Sequence, residues 1–137
     1  MGDPTVRQVV AVAAVVFREG RLLAMRRSAD AEAGAGLWET ISGRVEEDEE
    51  PLHALMREVA EESGLEVTLE PRPVDAYAAR RGELPMTVIV YRADWVSGEV
   101  QRSDEHDDHV WCTPEEFAQR STLHRLAQAV QRAANID

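Results

Sequence analysis

A chain of 137 residues with 44% apolar content is large enough for one domain with a real core and too apolar for a disordered segment. Its 26 acidic and 15 basic residues leave a net charge of −11, which disfavours nonspecific binding to nucleic acid polymers or to anionic membranes. A small anionic substrate stays open, because bound cations invert the local sign.

The first eight residues are read as a loose N-terminus to a single domain spanning 1–137. Arg7 followed by the apolar Val9–Phe17 has the superficial look of a secretion signal, but the stretch is too short to cross a bilayer. It runs into Arg18-Glu19-Gly20-Arg21 and a second apolar segment, Leu22–Met25, so the spacing predicts a β-hairpin and no targeting segment. Ser28–Gly36 has no usable period and reads as a loop; Leu37–Ile41 reads as a short strand leading to Ser42-Gly43.

The clearest element is a helix over Pro51–Ser63. Leu52, Leu55, Met56, Val59 and Ala60 recur at helical spacing and predict its buried stripe. Pro51 suits the first turn, where its missing N–H costs nothing, and Gly64 supplies a left-handed stop. Glu66–Leu69 and Val74–Ala79 read as extended, and Arg80–Pro85 as a polar turn. Met86–Val96 predicts a long central strand with Ile89, Tyr91, Ala93 and Trp95 on one face and Val88 and Val90 on the other. Ser97–Asp108 is an acidic loop and His109–Cys112 a short strand. Thr113-Pro114-Glu115-Glu116 forms a capping box, and a last helix turns Leu123, Leu126, Ala127 and Val130 inward. This order suggests an α/β fold with helices on both faces of a mixed sheet. The lone Cys112 allows no internal disulfide and reads as a small packed residue in a protein of the reducing cytoplasm.

At about 100° per residue, Glu58, Glu61 and Glu62 fall within one arc beside the apolar stripe. Hard carboxylate oxygens so placed suit Mg²⁺ or Mn²⁺, although a helix with three Glu is more commonly just a solvated acidic face. The surrounding residues decide between these. Gly43, five residues, Glu49, seven residues and then Arg57-Glu58-Val59-Ala60-Glu61-Glu62-Ser63-Gly64-Leu65 match every fixed position of GX5EX7REUXEEXGU, where U is aliphatic. The segment resembles the signature of the Nudix hydrolases, and the hairpin, long strand and Trp111–Phe117 segment resemble the MutT-type domain.

That resemblance implies an α/β/α sandwich and hydrolysis of a nucleoside diphosphate linked to another group. It implies Mg²⁺, with Mn²⁺ as a substitute, held chiefly by Glu61 and Glu62. Glu58 would be a further ligand or the base, and Gly43 would offer its carbonyl. Arg57 and Glu49 would pair to orient Glu58. Family members often bring another carboxylate from a loop after the long strand, and Glu105 is the candidate here, as ligand or base.

Trp38, Tyr77, Arg80 and Arg81 are the candidates for contacting base or phosphate. His106 and His109 match no zinc spacing and read as surface residues. A noncatalytic nucleotide-binding domain is the alternative, but such domains usually carry a broken box. The isomerase branch of the fold is discounted because no cysteine precedes the box. Ile41-Ser42-Gly43 stands where many MutT-like chains have Pro-Gly-Gly, leaving nucleoside triphosphates and diphosphate derivatives as substrate classes. Free strand edges and the family habit leave a homodimer open.

Overall fold

The computed structural model describes residues 7–136. Of the N-terminus expected to be loose, residues 1–6 lie outside the described residues, while Arg7 and Gln8 are exposed and precede the first strand. Strand β1 (Val9–Arg18) turns through Glu19 and Gly20, both at positive φ, into β2 (Arg21–Arg27). Two left-handed residues give a tight turn whose twist matches that of the strands it joins. The expected hairpin is present.

After the loop come β3 (Trp38–Glu39) and β4 (Ile41–Arg44), two short strands where one was expected. The division arises because the chain changes partner: β3 pairs with β2 and β4 pairs with β1, with Thr40 buried at the crossing. Helix α1 (Pro51–Ser63) ends at Gly64, whose φ of 69° allows its N–H to reach the Ala60 carbonyl at 3.0 Å. Strands β5 (Glu66–Leu69), β6 (Asp75–Arg81) and β7 (Leu84–Ser97) follow. The turn expected over Arg80–Pro85 narrows to Gly82-Glu83, because Arg81 pairs with Leu84 and Arg80 with Pro85. Strand β8 (His106–Cys112) starts three residues earlier than expected.

One mixed sheet results. Strands β3, β2, β1, β7 and β5 lie side by side; β4 pairs with β1, β6 with β7, and β8 with β2. β1 and β7 run parallel at its centre, and both faces of β7 are covered as the sequence suggests. Ala11, Ala13, Val15 and Phe17 of β1 point to one core, while Val12, Ala14 and Val16 point to the other. The first core is closed by α2 (Pro114–Arg120) and α3 (His124–Ala134), and the second by α1. This is the α/β/α layering expected.

The single last helix is in fact two. Thr113 caps α2 with the full capping box, and the chain then leaves helical geometry at Ser121, whose hydroxyl donates to the Trp38 carbonyl at 2.7 Å. None of the described helices is long and apolar enough to cross a membrane.

The buried face of α1 also differs from the expected stripe. Ala54, Leu55 and Val59 are buried, whereas Met56 is 58% exposed and Ala60 is exposed too. In their place Glu58, Glu62 and Ser63 turn inward. The helix is rotated so that two carboxylates, rather than two apolar side chains, face the protein. Leu55→Ala should therefore cost about 2–5 kcal/mol, and Met56→Ala no more than about 0.5 kcal/mol, in urea unfolding. Equal losses would restore the stripe that hydropathy suggests.

Candidate active site

Gly43 sits on β4 opposite Val12, where the sheet meets α1. A Cβ built there would overlap the Glu58 carboxyl, so only glycine lets this carboxylate lie against the strand. Arg57 then ties loop to helix. Its Nε and Nη2 donate to both oxygens of Glu49 at 3.0 and 2.9 Å, Nη1 donates to Glu58 Oε1 at 2.6 Å, and Nη2 donates to the Arg44 carbonyl at 3.1 Å. A two-pronged guanidinium–carboxylate pair fixes direction as well as distance. Bonds from Arg57, and then from the Glu46 N–H, hold the Glu49 carboxyl down at about 2. Glu49 and Glu58 in turn push Arg57 further above its usual range.

Glu62 is only 1% exposed. Its Oε1 accepts from the Ser42 N–H at 3.3 Å, while Oε2 has no partner among the described residues. Burial first, then hydrogen bonding to Glu58, then the charges of Glu58, Glu105 and Glu39 push its carboxyl up to about 11. Glu105, from the loop before β8, and His106, the first residue of that strand, each bring a donor atom into a group with Glu62 that spans no more than 4.8 Å. Several carboxylates thus converge with one buried oxygen left unsatisfied. A hard divalent cation fits that donor set, since it would neutralise the cluster and fill the empty acceptor position. Gly43, Glu58 and Glu62 are the box residues the fold brings to this corner. Glu61, one helix position from Glu62, is exposed and 3.8 Å from Arg57.

The remaining candidates lie further out. Trp38 is half-buried against the α2/α3 core, with the Arg120 guanidinium 4.7 Å and the Arg26 guanidinium 5.9 Å from its ring centre. Tyr77 packs against the same core beneath Arg125, and burial pushes its phenol up to about 12. Arg80 and Arg81 are exposed at the tip of the β6–β7 hairpin, where Arg80 donates to the Glu83 carbonyl. His109 is half-buried, its Nδ1 facing Arg102 at 2.7 Å.

Two residues carry more than the sequence signalled. His106 is no surface residue, for its side chain is fully buried, and its Nε2 lies 2.8 Å from Glu39 Oε2. Glu39, also buried, takes Arg27 Nη1 at 3.2 Å and the Ser42 hydroxyl at 3.4 Å as well. Charged and polar types in a short strand and an acidic loop gave no local sign of this pairing. Only the approach of β2, β3 and β8 creates it.

The raised Glu62 value carries a stability consequence. A folded-state pKa above the unfolded one means that the metal-free fold loses stability as pH rises from about 5 towards 9. Protein stripped with chelator should melt on the order of 5 °C lower at pH 9 than at pH 5. Glu62→Gln should flatten that slope, and added Mg²⁺ should restore the alkaline Tm. An identical slope in the variant would show that Glu62 is not the strained group.

Comparison with known proteins agrees with this geometry. The family model described as the NUDIX domain matches residues 7–133. A CTP pyrophosphohydrolase of Escherichia coli strain K12 is 37% identical over 117 residues, covering 82% of each chain. The solution structure of the E. coli ORF135 protein superposes with a TM-score of 0.79 at 31% identity, over 98% of both chains. The crystal structure of a MutT protein from Methanosarcina mazei Go1 gives 0.83 at 26% identity, over 96% of both. With its sandwich, its buried glutamates and a family match along nearly its whole length, the chain belongs to the Nudix hydrolases.

Proposed function

We propose that this chain hydrolyses a phosphoanhydride bond of a nucleoside triphosphate or nucleoside diphosphate derivative, with Mg²⁺ as cofactor and Mn²⁺ as its substitute. The observation that carries the reading is the corner where Gly43, Glu58 and Glu62 meet, locked by the Arg57–Glu49 pair. Glu58, Glu61, Glu62 and the Gly43 carbonyl would hold the cation, with Glu105 as a further ligand or base. When bound, the ion supplies charge neutralisation of the pyrophosphate and a lowered pKa for water beside it.

The protein's own groups divide the remaining work. Arg57 fixes Glu58 through Oε1, so the carboxylate is aimed before substrate arrives. Glu58 is the acceptor proposed for the proton of the attacking water. Glu49 acts through Arg57 and touches neither water nor phosphate. Trp38 and Tyr77 are proposed to meet the base, and Arg80 and Arg81 the phosphates of a long substrate. The name of the E. coli relative puts CTP first among nucleotides to try. A cytoplasmic location and a homodimer belong to the same reading, the latter supported by the end position of β5 in the sheet.

Purified protein with Mg²⁺, offered a panel of nucleotides in ¹⁸O-labelled water, should cleave at least one of them and carry label into one product phosphate. Glu58→Gln and Glu62→Gln should each lower kcat about 10²–10⁴-fold with the circular dichroism spectrum unchanged. Nucleotide binding with no turnover of any panel member would instead identify a noncatalytic binding domain. Gly43→Ala, which pushes the Glu58 carboxyl off the strand, should lower kcat more than it raises KM. Wild-type turnover in that variant would remove Glu58 from the mechanism.

A further inference from the structure

The pairing of β8 with β2 contains an irregularity. Cys112, Trp111, Val110, His109 and Asp108 pair in turn with Leu22 through Arg26, but His106 then pairs with Arg27, leaving Asp107 as an extra residue. Side chains alternate along a strand, so one extra residue reverses the face on which everything beyond it points. Cys112 belongs to the α2/α3 core and Trp111 packs on the α1 core. Regular alternation would have sent His106 with Cys112, towards α2 and α3. The bulge sends it towards α1 and the glutamates.

There its two ring nitrogens have different fates. Nε2 faces Glu39 Oε2 at 2.8 Å, and a carboxylate acceptor at that distance requires the ring proton on Nε2. Glu39 is itself held by Arg27 and Ser42, so the ring is fixed in place. Nδ1 is left with its lone pair, buried and without a partner among the described residues. Only three buried side-chain polar atoms are in that condition there, and Glu62 Oε2 is another. His106, Glu62 and Glu105 offer atoms within 4.8 Å of one another. One cation would satisfy both orphaned atoms. An imidazole held by a carboxylate at its far nitrogen is also the arrangement that sets a histidine to bind metal.

We propose that His106 Nδ1, Glu62 and Glu105 form a mixed nitrogen–oxygen site for a divalent transition ion of the Mn²⁺ class, with Glu39 as the positioning residue behind it. The inference deepens the preceding reading and rests on it, because Glu62 is shared with the box. An imidazole ligand shifts preference away from Mg²⁺, which favours oxygen, and towards Mn²⁺ and its heavier neighbours. Glu39 is then a support for the ring and not a ligand.

Electron spin-echo spectroscopy of tag-free protein loaded with one equivalent of Mn²⁺ tests this directly, since it detects a coordinated ¹⁴N without any turnover. Wild type and His109→Gln should both show the imidazole coupling, and His106→Gln should lose it. Mn²⁺ affinity in His106→Gln should fall at least tenfold, with Mg²⁺ affinity much less affected. Glu39→Gln should keep the coupling while binding Mn²⁺ about 10–100-fold more weakly. If His106→Gln does not fold, coupling retained in each of the His53→Gln, His109→Gln and His124→Gln variants assigns it to His106. Bound Mn²⁺ with no ¹⁴N coupling in wild type, or coupling that survives in His106→Gln, overturns the histidine ligand and leaves the hydrolase reading intact. Failure to bind Mn²⁺ with or without nucleotide overturns both.

Discussion

Electrostatic frustration at one end of α1 governs the rest of this molecule. Glu58 and Glu62 lie one turn apart, both buried and both against β4. Burying a carboxylate costs solvation unless other groups compensate it. The structure tolerates them because their surroundings are arranged for it. Arg57 shares its guanidinium between Glu49 and Glu58, Ser42 offers a backbone N–H to Glu62, and Gly43 withholds the side chain that would collide. What remains unsatisfied is Glu62 Oε2, an acceptor with no donor among the described residues, a position suited to an ion.

The sheet delivers these groups by changing partners. β1 is paired with β4 over its first half and with β2 at its end, so the chain between β3 and β4 must cross from one to the other. That crossing carries Glu39, Thr40 and Ser42 in succession: one residue faces His106, one is buried at the junction, and one donates to Glu62. The apolar alternation of β1 and β7 makes the platform rigid on both faces, and no catalytic candidate comes from either strand. Rigid strands below and a short crossing above place the polar groups without requiring a long loop to be ordered.

Much of this was legible in the residues alone. The spacing from Gly43 to Leu65 identified the helix, its stop at Gly64 and its glutamates, because each position answers a local demand of backbone or charge. The long strand was equally plain from its alternating Val, Ile and aromatic residues. Hydropathy misplaced the inner face of α1 because it assigns Met56 and Ala60 to the core and glutamates to water. Here Glu58 and Glu62 are buried while Met56 and Ala60 are exposed. The break at Ser121 has neither Gly nor Pro to announce it; there the hydroxyl donates to the Trp38 carbonyl, 83 positions away, and accepts from the Leu123 N–H. Glu39 and His106 were hidden for a similar reason, being 67 residues apart and joined only through tertiary pairing.

The extra residue in β8 makes strand register, and not only composition, part of the site. Were the ladder with β2 to run regularly through Asp107, that residue would oppose Arg27 and everything on its N-terminal side would exchange one face for the other. A substitution nearby perturbs one side chain, whereas absorbing Asp107 into the ladder would turn a histidine and a glutamate around together. Deleting Asp107 outright would leave His106 opposite Arg27 on its present face, so what the site depends on is that this residue stays outside the ladder, not which side chain it carries.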